Sequence, residues 1–297
     1  MSISANPKNI KALVFDLDGT LLTPVTALSE RTTRAVRACL RRGLRVIIAT
    51  GRAIEAAERF RTALGAEGPM IYFNGAVVAD MPEARILSTT LLDKEVAAFG
   101  VELSRETGVY YQVFFPAEKP PKGINPGGKF LDESKESRIS AMSERKGPEW
   151  DMYFNHTGIQ AEIGDLKAAL SRPGLEGCIK SMFLAEPEVQ AALRPRLEER
   201  FGASVYIVQT YRTFLEIMDA KVSKGQGLKV IMEHLSLKGE EVIAFGDEEN
   251  DLPMFTAAGF SVAPSNAKDK VKAAADLVIG SNAEDGVAAF LEEFFGI

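Results

Sequence analysis

The chain has 297 residues, 46% of them apolar and 26% charged, a composition typical of a globular protein of about two domains. Its 35 basic and 41 acidic side chains leave a net charge of −6, which argues against a nucleic-acid partner and an anionic membrane surface. Neither Cys39 nor Cys178 has a metal-ligand spacing, and the apolar run 44–49 is far shorter than the ~20 residues of a membrane span. We therefore expect a cytoplasmic protein.

The first part of the chain alternates between short apolar strands and helices. Helices are predicted where a capping residue or glycine bounds a helical apolar pattern, and strands where a short apolar run ends in a turn. The predicted strands are 10–15, 44–49 and 70–73, and the predicted helices are 29–42 and 53–64. Strands without internal alternation are buried on both faces, which indicates a parallel sheet in an α/β layer structure.

The middle of the chain has a different pattern, with an alternating aromatic stretch at 109–115. Helices are predicted at 93–107 and 189–201, and strands at 152–154, 178–184 and 205–209. We interpret residues 83–213 as an α+β domain inserted into a core that comprises 1–82 and 214–297. This inserted domain is expected to act as a lid on one edge of the core sheet.

The strand–helix alternation returns after residue 223. Strands are predicted at 242–245, 260–262 and 276–279, and helices at 224–235, 250–257 and 286–295. In open parallel sheets the ligand site lies outside the carboxyl ends of the strands. The chemistry is therefore expected to come from residues that directly follow these strands.

Acidic residues follow two of the predicted strands. Asp16 and Asp18 come directly after the first strand, and Gly19 lets the chain turn there without a side chain. Asp247 and Asp251 lie in the acidic segment after strand 242–245. Carboxylates so close repel one another unless a cation lies beside them, and oxygen ligands without Cys or His suit Mg²⁺ better than zinc.

A candidate anion site follows the strand at 44–49. Thr50, Gly51 and Arg52 offer a hydroxyl, backbone N–H groups and a helix N-terminus, and Lys224 begins a later helix with a mobile positive charge. Together with the carboxylates, this set indicates transfer of a phosphoryl group. Asp16 would attack phosphorus to form an aspartyl-phosphate.

Four short segments lie at the positions expected for the site. They are Asp16-Leu17-Asp18-Gly19-Thr20, Thr50-Gly51-Arg52, Lys224-Gly225 and Gly246-Asp247-Glu248-Glu249-Asn250-Asp251. In order and spacing these segments resemble the four motifs of the haloacid dehalogenase superfamily, and most closely those of its Cof-type phosphatases. The resemblance implies a Rossmann-like three-layer core with a parallel sheet, an inserted α+β cap that sets substrate specificity, and Mg²⁺-dependent hydrolysis of a small phosphorylated metabolite.

The resemblance also implies roles for the residues of the first and third motifs. Asp16 is expected to be the nucleophile and a metal ligand. Asp18 is expected to protonate the leaving alcohol and then to activate water, while its backbone carbonyl binds the metal. Lys224 is expected to bind phosphoryl oxygens.

The second and fourth motifs imply the remaining contacts. Thr50 is expected to bind phosphoryl oxygens beside Gly51, Asp247 and Asp251 to complete or support the metal site, and Asn250 to support the phosphate. The sequence leaves two roles open for Arg52, which either contacts phosphate or substrate or pairs with nearby acids.

Two other functions stay open at this point. A phosphomutase of the same superfamily would return the phosphoryl group to a second hydroxyl, and a non-enzymatic switch would keep a long-lived phosphoaspartate. Asp18 and the inserted domain favour the phosphatase over the switch. The chain is expected to act as a monomer or a small homo-oligomer.

Overall fold

The chain divides into two compact units, as seen in a computed structural model that describes residues 6–116 and 139–297. Among these, residues 6–88 and 223–297 form one unit and residues 89–116 and 139–222 form the other. The units divide a few residues beyond the expected positions 82 and 214. The strand that follows residue 82 pairs within a sheet of the first unit, and the strand that begins at residue 214 pairs within the sheet of the second unit.

The first unit begins with alternating strands and helices. Ser29 caps the first helix, since its side chain accepts a hydrogen bond from Thr32 N at 3.0 Å, and Gly65 ends the second helix with a left-handed backbone. The elements are β1 (Ala12–Phe15), α1 (Glu30–Arg41), β2 (Arg45–Ile48), α2 (Ile54–Leu64), β3 (Gly68–Tyr72), β4 (Val77–Met81) and β5 (Arg85–Thr89).

The second unit is built on a largely antiparallel sheet. Its elements are α3 (Lys94–Thr107), β6 (Tyr110–Phe115), β7 (Ser140–Ser143), α4 (Pro148–Thr157), β8 (Glu162–Ile163), α5 (Leu166–Leu170), β9 (Lys180–Leu184), α6 (Pro187–Phe201), β10 (Val205–Tyr211) and β11 (Phe214–Asp219). The strand order is β10-β11-β9-β6-β7-β8. Apolar side chains from one face of this sheet pack with those of α3, α5 and α6 into a separate core.

The remaining elements return to the first unit. They are α7 (Lys224–Leu235), β12 (Val242–Phe245), α8 (Leu252–Ala257), β13 (Phe260–Pro264), α9 (Asp269–Ala274), β14 (Leu277–Ile279) and α10 (Gly286–Phe295). The strand order is β14-β13-β12-β1-β2, and neighbouring strands are parallel. Helices α7 and α8 cover one face, and Phe290 of α10 packs on Phe245 at the other. The predicted α/β core with a parallel sheet and a separate α+β unit is confirmed.

Two local predictions are wrong. Residues 152–154, predicted as a strand, lie in α4, where Trp150 and Tyr153 are buried at helical spacing between Gly147 and Gly158. The predicted parallel strand near 70–73 is β3, which instead pairs with β4 in an antiparallel sheet that continues to β5. It touches the parallel sheet through a bridge between Ala49 and Ile71.

Among residues 6–116 and 139–297, no helix combines the length and the apolar character that crossing a bilayer requires.

Candidate active site

Asp16 lies at the carboxyl end of β1, at the edge of the parallel sheet. The four residues of β1 are buried, and Asp16 continues the ladder by donating its N–H to Phe245 O at 2.9 Å. Its own side chain is buried as well. A buried carboxylate needs partners, and the surrounding loops supply them.

Lys224, the first residue of α7, supplies the positive charge at Asp16. Its Nζ donates to Asp16 Oδ1 and to Asp251 Oδ1, both at 2.6 Å, and its side chain is only 1% exposed. Ser223 caps the helix by accepting a hydrogen bond from Gln226 N. The helix start thus fixes the ammonium between two carboxylates.

Three buried carboxylates come together at this edge of the sheet. Oxygen atoms of Asp16, Asp247 and Asp251 lie within 4.8 Å of one another, in an arrangement that could hold a metal ion. Burial raises the pKa of Asp16 well above its usual range, and the neighbouring carboxylates raise it further while Lys224 opposes them. Burial, followed by the charge of Asp251, likewise raises the pKa of Asp247 to about 7. The cluster thus places three carboxyl groups around a single ammonium group, that of Lys224.

The loop after β12 is folded around Asp251. Its Oδ2 accepts hydrogen bonds from the backbone N–H groups of Asp247 and Glu248, at 2.9 and 3.0 Å. A Cβ on Gly246 would lie 2.4 Å from Asp251 Cβ, so this position needs glycine. Asp251 thus holds the loop in place and adds a carboxylate to the cluster.

Asp247 is held from the opposite side by the loop after β1. Thr20 Oγ1 donates to Asp247 Oδ1 at 2.6 Å. Gly19 has a φ of +81°, and a Cβ there would lie 2.1 Å from Asp247 Oδ2. Asn266 donates from Nδ2 to Gly19 O at 2.8 Å. Sequence reasoning gave Thr20 and Asn266 no role, although Thr20 lies inside the first motif.

Asp18 lies apart from the three-carboxylate cluster. Its carboxylate accepts two hydrogen bonds from Arg52, at 2.6 and 2.7 Å, and its side chain is 51% exposed. The structure thus pairs Arg52 with an acid, one of the two roles that the sequence left open. The half-exposed carboxylate is accessible to solvent, in contrast to the buried Asp16.

The remaining predicted residues lie around the turn that follows β3. The Thr50 hydroxyl accepts a hydrogen bond from Arg52 N at 3.1 Å, and Thr50 O accepts one from Asn74 N at 3.0 Å. Asn250 donates from Nδ2 to Asn74 Oδ1 at 2.9 Å. Sequence reasoning gave Asn74 no role.

Comparison with known proteins identifies the family to which the chain belongs. A family model described as haloacid dehalogenase-like hydrolase matches residues 13–291. The chain belongs to this family. The expected resemblance is confirmed over nearly the whole chain.

Named relatives of this hydrolase include phosphatases. A phosphatase of Haemophilus influenzae, described as putative, is 31% identical, and the match covers 97% of each chain. A 5-amino-6-(5-phospho-D-ribitylamino)uracil phosphatase of Bacillus subtilis is 28% identical over 96% of this chain and 97% of its own length. The chain spans 44% of a chloroplastic endoribonuclease of Arabidopsis thaliana that is 30% identical.

A solved structure agrees with the fold. The crystal structure of a Thermotoga maritima protein superposes with a TM-score of 0.78 at 30% identity, covering 96% of this chain and 97% of that one. The family and the named phosphatases among its relatives identify the chain as a phosphoric monoester hydrolase.

The buried ammonium of this hydrolase gives a first prediction. In Lys224→Met, Asp16 and Asp251 lose their positive partner, so we expect the free energy of unfolding at pH 8 to fall by about 3 kcal/mol. The loss should be smaller at pH 5 than at pH 8, because burial raises the pKa of Asp16 and a lower pH favours its neutral form, which does not repel Asp251. Urea denaturation at both pH values measures this. Lys229→Met, on the exposed side of the same helix, is the control and should change stability by less than about 0.5 kcal/mol. Equal stability of the two variants would contradict the prediction.

Proposed function

We propose that the chain is a Mg²⁺-dependent phosphatase that hydrolyses a small phosphorylated metabolite through a phosphoryl group carried on Asp16. One observation carries the proposal. The buried Asp16 carboxylate is hydrogen-bonded to Lys224 and grouped with two further carboxylates, while a half-exposed acid, Asp18, lies two residues along the chain. This set provides a nucleophile, a counter-charge and a proton carrier.

The carboxylate cluster suits a hard divalent cation. Its donors are carboxylate oxygens without Cys or His, and the pKa of Asp247 is raised first by burial and then by the neighbouring charge of Asp251. Asp16, Asp247 and Asp251 would hold Mg²⁺, together with the backbone carbonyl of Asp18 that the family resemblance implies. When bound, the ion supplies positive charge that stabilises the phosphoryl oxygens.

In the first half-reaction, a carboxylate oxygen of Asp16 forms a bond to phosphorus. The bond from phosphorus to the leaving oxygen breaks, and Asp18 donates its proton to that oxygen. The Thr50 hydroxyl, the Gly51 N–H and Lys224 bind the non-reacting oxygens of the phosphoryl group. Burial of Asp16 removes competing water from the nucleophile.

In the second half-reaction, Asp18 acts as the base. Its carboxylate takes a proton from water as the water oxygen bonds to phosphorus. The bond between phosphorus and the Asp16 oxygen breaks, which releases inorganic phosphate and restores the Asp16 carboxylate. The two hydrogen bonds from Arg52 hold the Asp18 carboxylate in place for this proton transfer from water.

The substrate is proposed to be a small metabolite such as a sugar phosphate. The Bacillus subtilis relative is named for a phosphorylated ribitylamino compound, and the acidic net charge disfavours a nucleic-acid partner. The inserted domain, 83–213 in the sequence prediction, is proposed to select the leaving group. A monomer or small homo-oligomer stays a prediction.

Phosphate release from a panel of phosphorylated metabolites with Mg²⁺ tests the proposed function. We expect release by the wild-type chain and none by Asp16→Asn. An isomerised substrate without free phosphate would instead indicate a mutase. A phosphoaspartate that persists for minutes in the wild-type chain would indicate a switch.

The carboxylate cluster also predicts a pH-dependent effect of Mg²⁺ on stability. Because the pKa of Asp247 is raised from 3.8 to about 7 in the folded chain, the metal-free protein should lose stability as pH rises between these values. A bound cation removes this penalty, so Mg²⁺ should raise the Tm more at pH 8 than at pH 5. Thermal denaturation measures the difference.

Asp247→Asn is the control for this effect. In this variant the rise in Tm caused by Mg²⁺ should depend much less on pH, because one of the repelling charges is gone. If Mg²⁺ raised the Tm of the wild-type chain equally at both pH values, these carboxylates would not be the ligands of the ion.

A further inference from the structure

The turn Phe73–Gly75 between β3 and β4 carries an asparagine that the proposed mechanism does not use. Phe73 and Asn74 have φ values of +50° and +57°, a left-handed conformation that asparagine tolerates and phenylalanine rarely adopts. Phe73 N donates to Arg52 O, and Asn74 N donates to Thr50 O, both at 3.0 Å. The strained turn is therefore fastened to the proposed phosphate-binding loop.

The side chain of Asn74 forms an amide pair with Asn250. Asn250 Nδ2 donates to Asn74 Oδ1 at 2.9 Å. Within the described ranges, Asn74 Nδ2 and Asn250 Oδ1 have no hydrogen-bond partner, although both atoms are buried. Turning both amides would make Asn74 Nδ2 the donor to Asn250 Oδ1 and would leave the unpaired donor on Asn250 instead, an alternative that the Asn250→Asp variant below distinguishes. A buried amide donor without a partner is costly, which points to a ligand that supplies the missing acceptor.

The amide pair packs against the backbone where a phosphate is expected. A Cβ built on Gly51 would lie 3.0 Å from Asn74 Oδ1 and 3.2 Å from Asn74 Nδ2. On the other side of the turn, a Cβ on Gly75 would lie 2.1 Å from Ser223 O, at the start of the helix that carries Lys224. Asn74 thus lies between the two segments that are proposed to bind phosphoryl oxygens.

We propose that Asn74 Nδ2 donates a hydrogen bond to a phosphoryl oxygen of the substrate and of inorganic phosphate. The inference rests on the proposed function and adds a binding residue to it. A neutral donor suits this site, because it binds an anion without adding a positive charge that would compete with Lys224 for the Asp16 carboxylate.

Isothermal titration of inorganic phosphate, with Mg²⁺ present, tests this donor in Asn74→Asp. The variant keeps the size of the side chain, an acceptor for Asn250 Nδ2 and tolerance for the left-handed backbone, while it replaces the donor by a carboxylate oxygen. We expect phosphate affinity to fall at least about tenfold. Asn74→Gly, which removes the amide but fits the backbone, should weaken binding less.

Asn282→Asp is the matched control, since Asn282 Nδ2 donates to Leu22 O at 2.8 Å in the same unit. It should lower the Tm without changing the affinity for phosphate. Unchanged affinity in Asn74→Asp would overturn the inference and leave Asn74 a structural link to Asn250. A loss of phosphate affinity in Asn250→Asp but not in Asn74→Asp would also overturn the inference. If the wild-type chain neither releases nor binds phosphate, the proposed function fails first and the inference falls with it.

Discussion

Asp16→Asn is expected to lower phosphate release at least ~10⁴-fold. An amide oxygen can still accept the hydrogen bond from Lys224 Nζ, so the fold should persist, but it cannot attack phosphorus. Steady-state assays and thermal denaturation of the same preparation measure activity and folding together.

The control for this substitution is Asp269→Asn, which makes the same change at a fully exposed carboxylate paired with Lys272. It should leave the rate unchanged. Activity in Asp16→Asn within tenfold of the wild type would remove Asp16 as the nucleophile.

Asp18→Asn is expected to slow turnover by about 10²- to 10⁴-fold, because the amide neither donates the required proton nor accepts one from water. The loss should depend on the leaving group. With p-nitrophenyl phosphate, whose leaving group needs little protonation, the first half-reaction should survive. Rapid mixing should then show a burst of about one nitrophenolate per active site, followed by slow turnover.

Glu249→Gln is the control for Asp18→Asn, since Glu249 is exposed and pairs with Lys270 outside the carboxylate cluster. This variant should turn over at the wild-type rate without a burst. A wild-type rate in Asp18→Asn would contradict the acid–base assignment.

The sequence predicted those parts of the site that follow strands. Asp16 and Asp247 come directly after β1 and β12, and parallel neighbouring strands end at the same edge of the sheet, so their proximity follows from topology. Lys224 could be predicted because it begins a helix. The proximity of these residues follows from the fold, while their chemical roles stay predictions.

Other contacts depend on loop geometry that no local pattern records. The pairing of Asp18 with Arg52 joins residues 34 positions apart, and that of Asn74 with Asn250 joins residues 176 apart. The prediction of a strand at 152–154 was wrong for a related reason. Aromatic residues suit strands and buried helix faces alike, and tertiary packing of Trp150 and Tyr153 decided for the helix.

Mass spectrometry of acid-quenched Asp18→Asn, mixed with a phosphorylated substrate and Mg²⁺, tests whether Asp16 carries the phosphoryl group. Slow hydrolysis in this variant should let the phosphoenzyme accumulate. We expect the mass of one phosphoryl group on the peptide that contains Asp16, and none when Asp16→Asn is added. Turnover without a phosphorylated protein, or a phosphoryl group on another residue, would contradict the proposed mechanism.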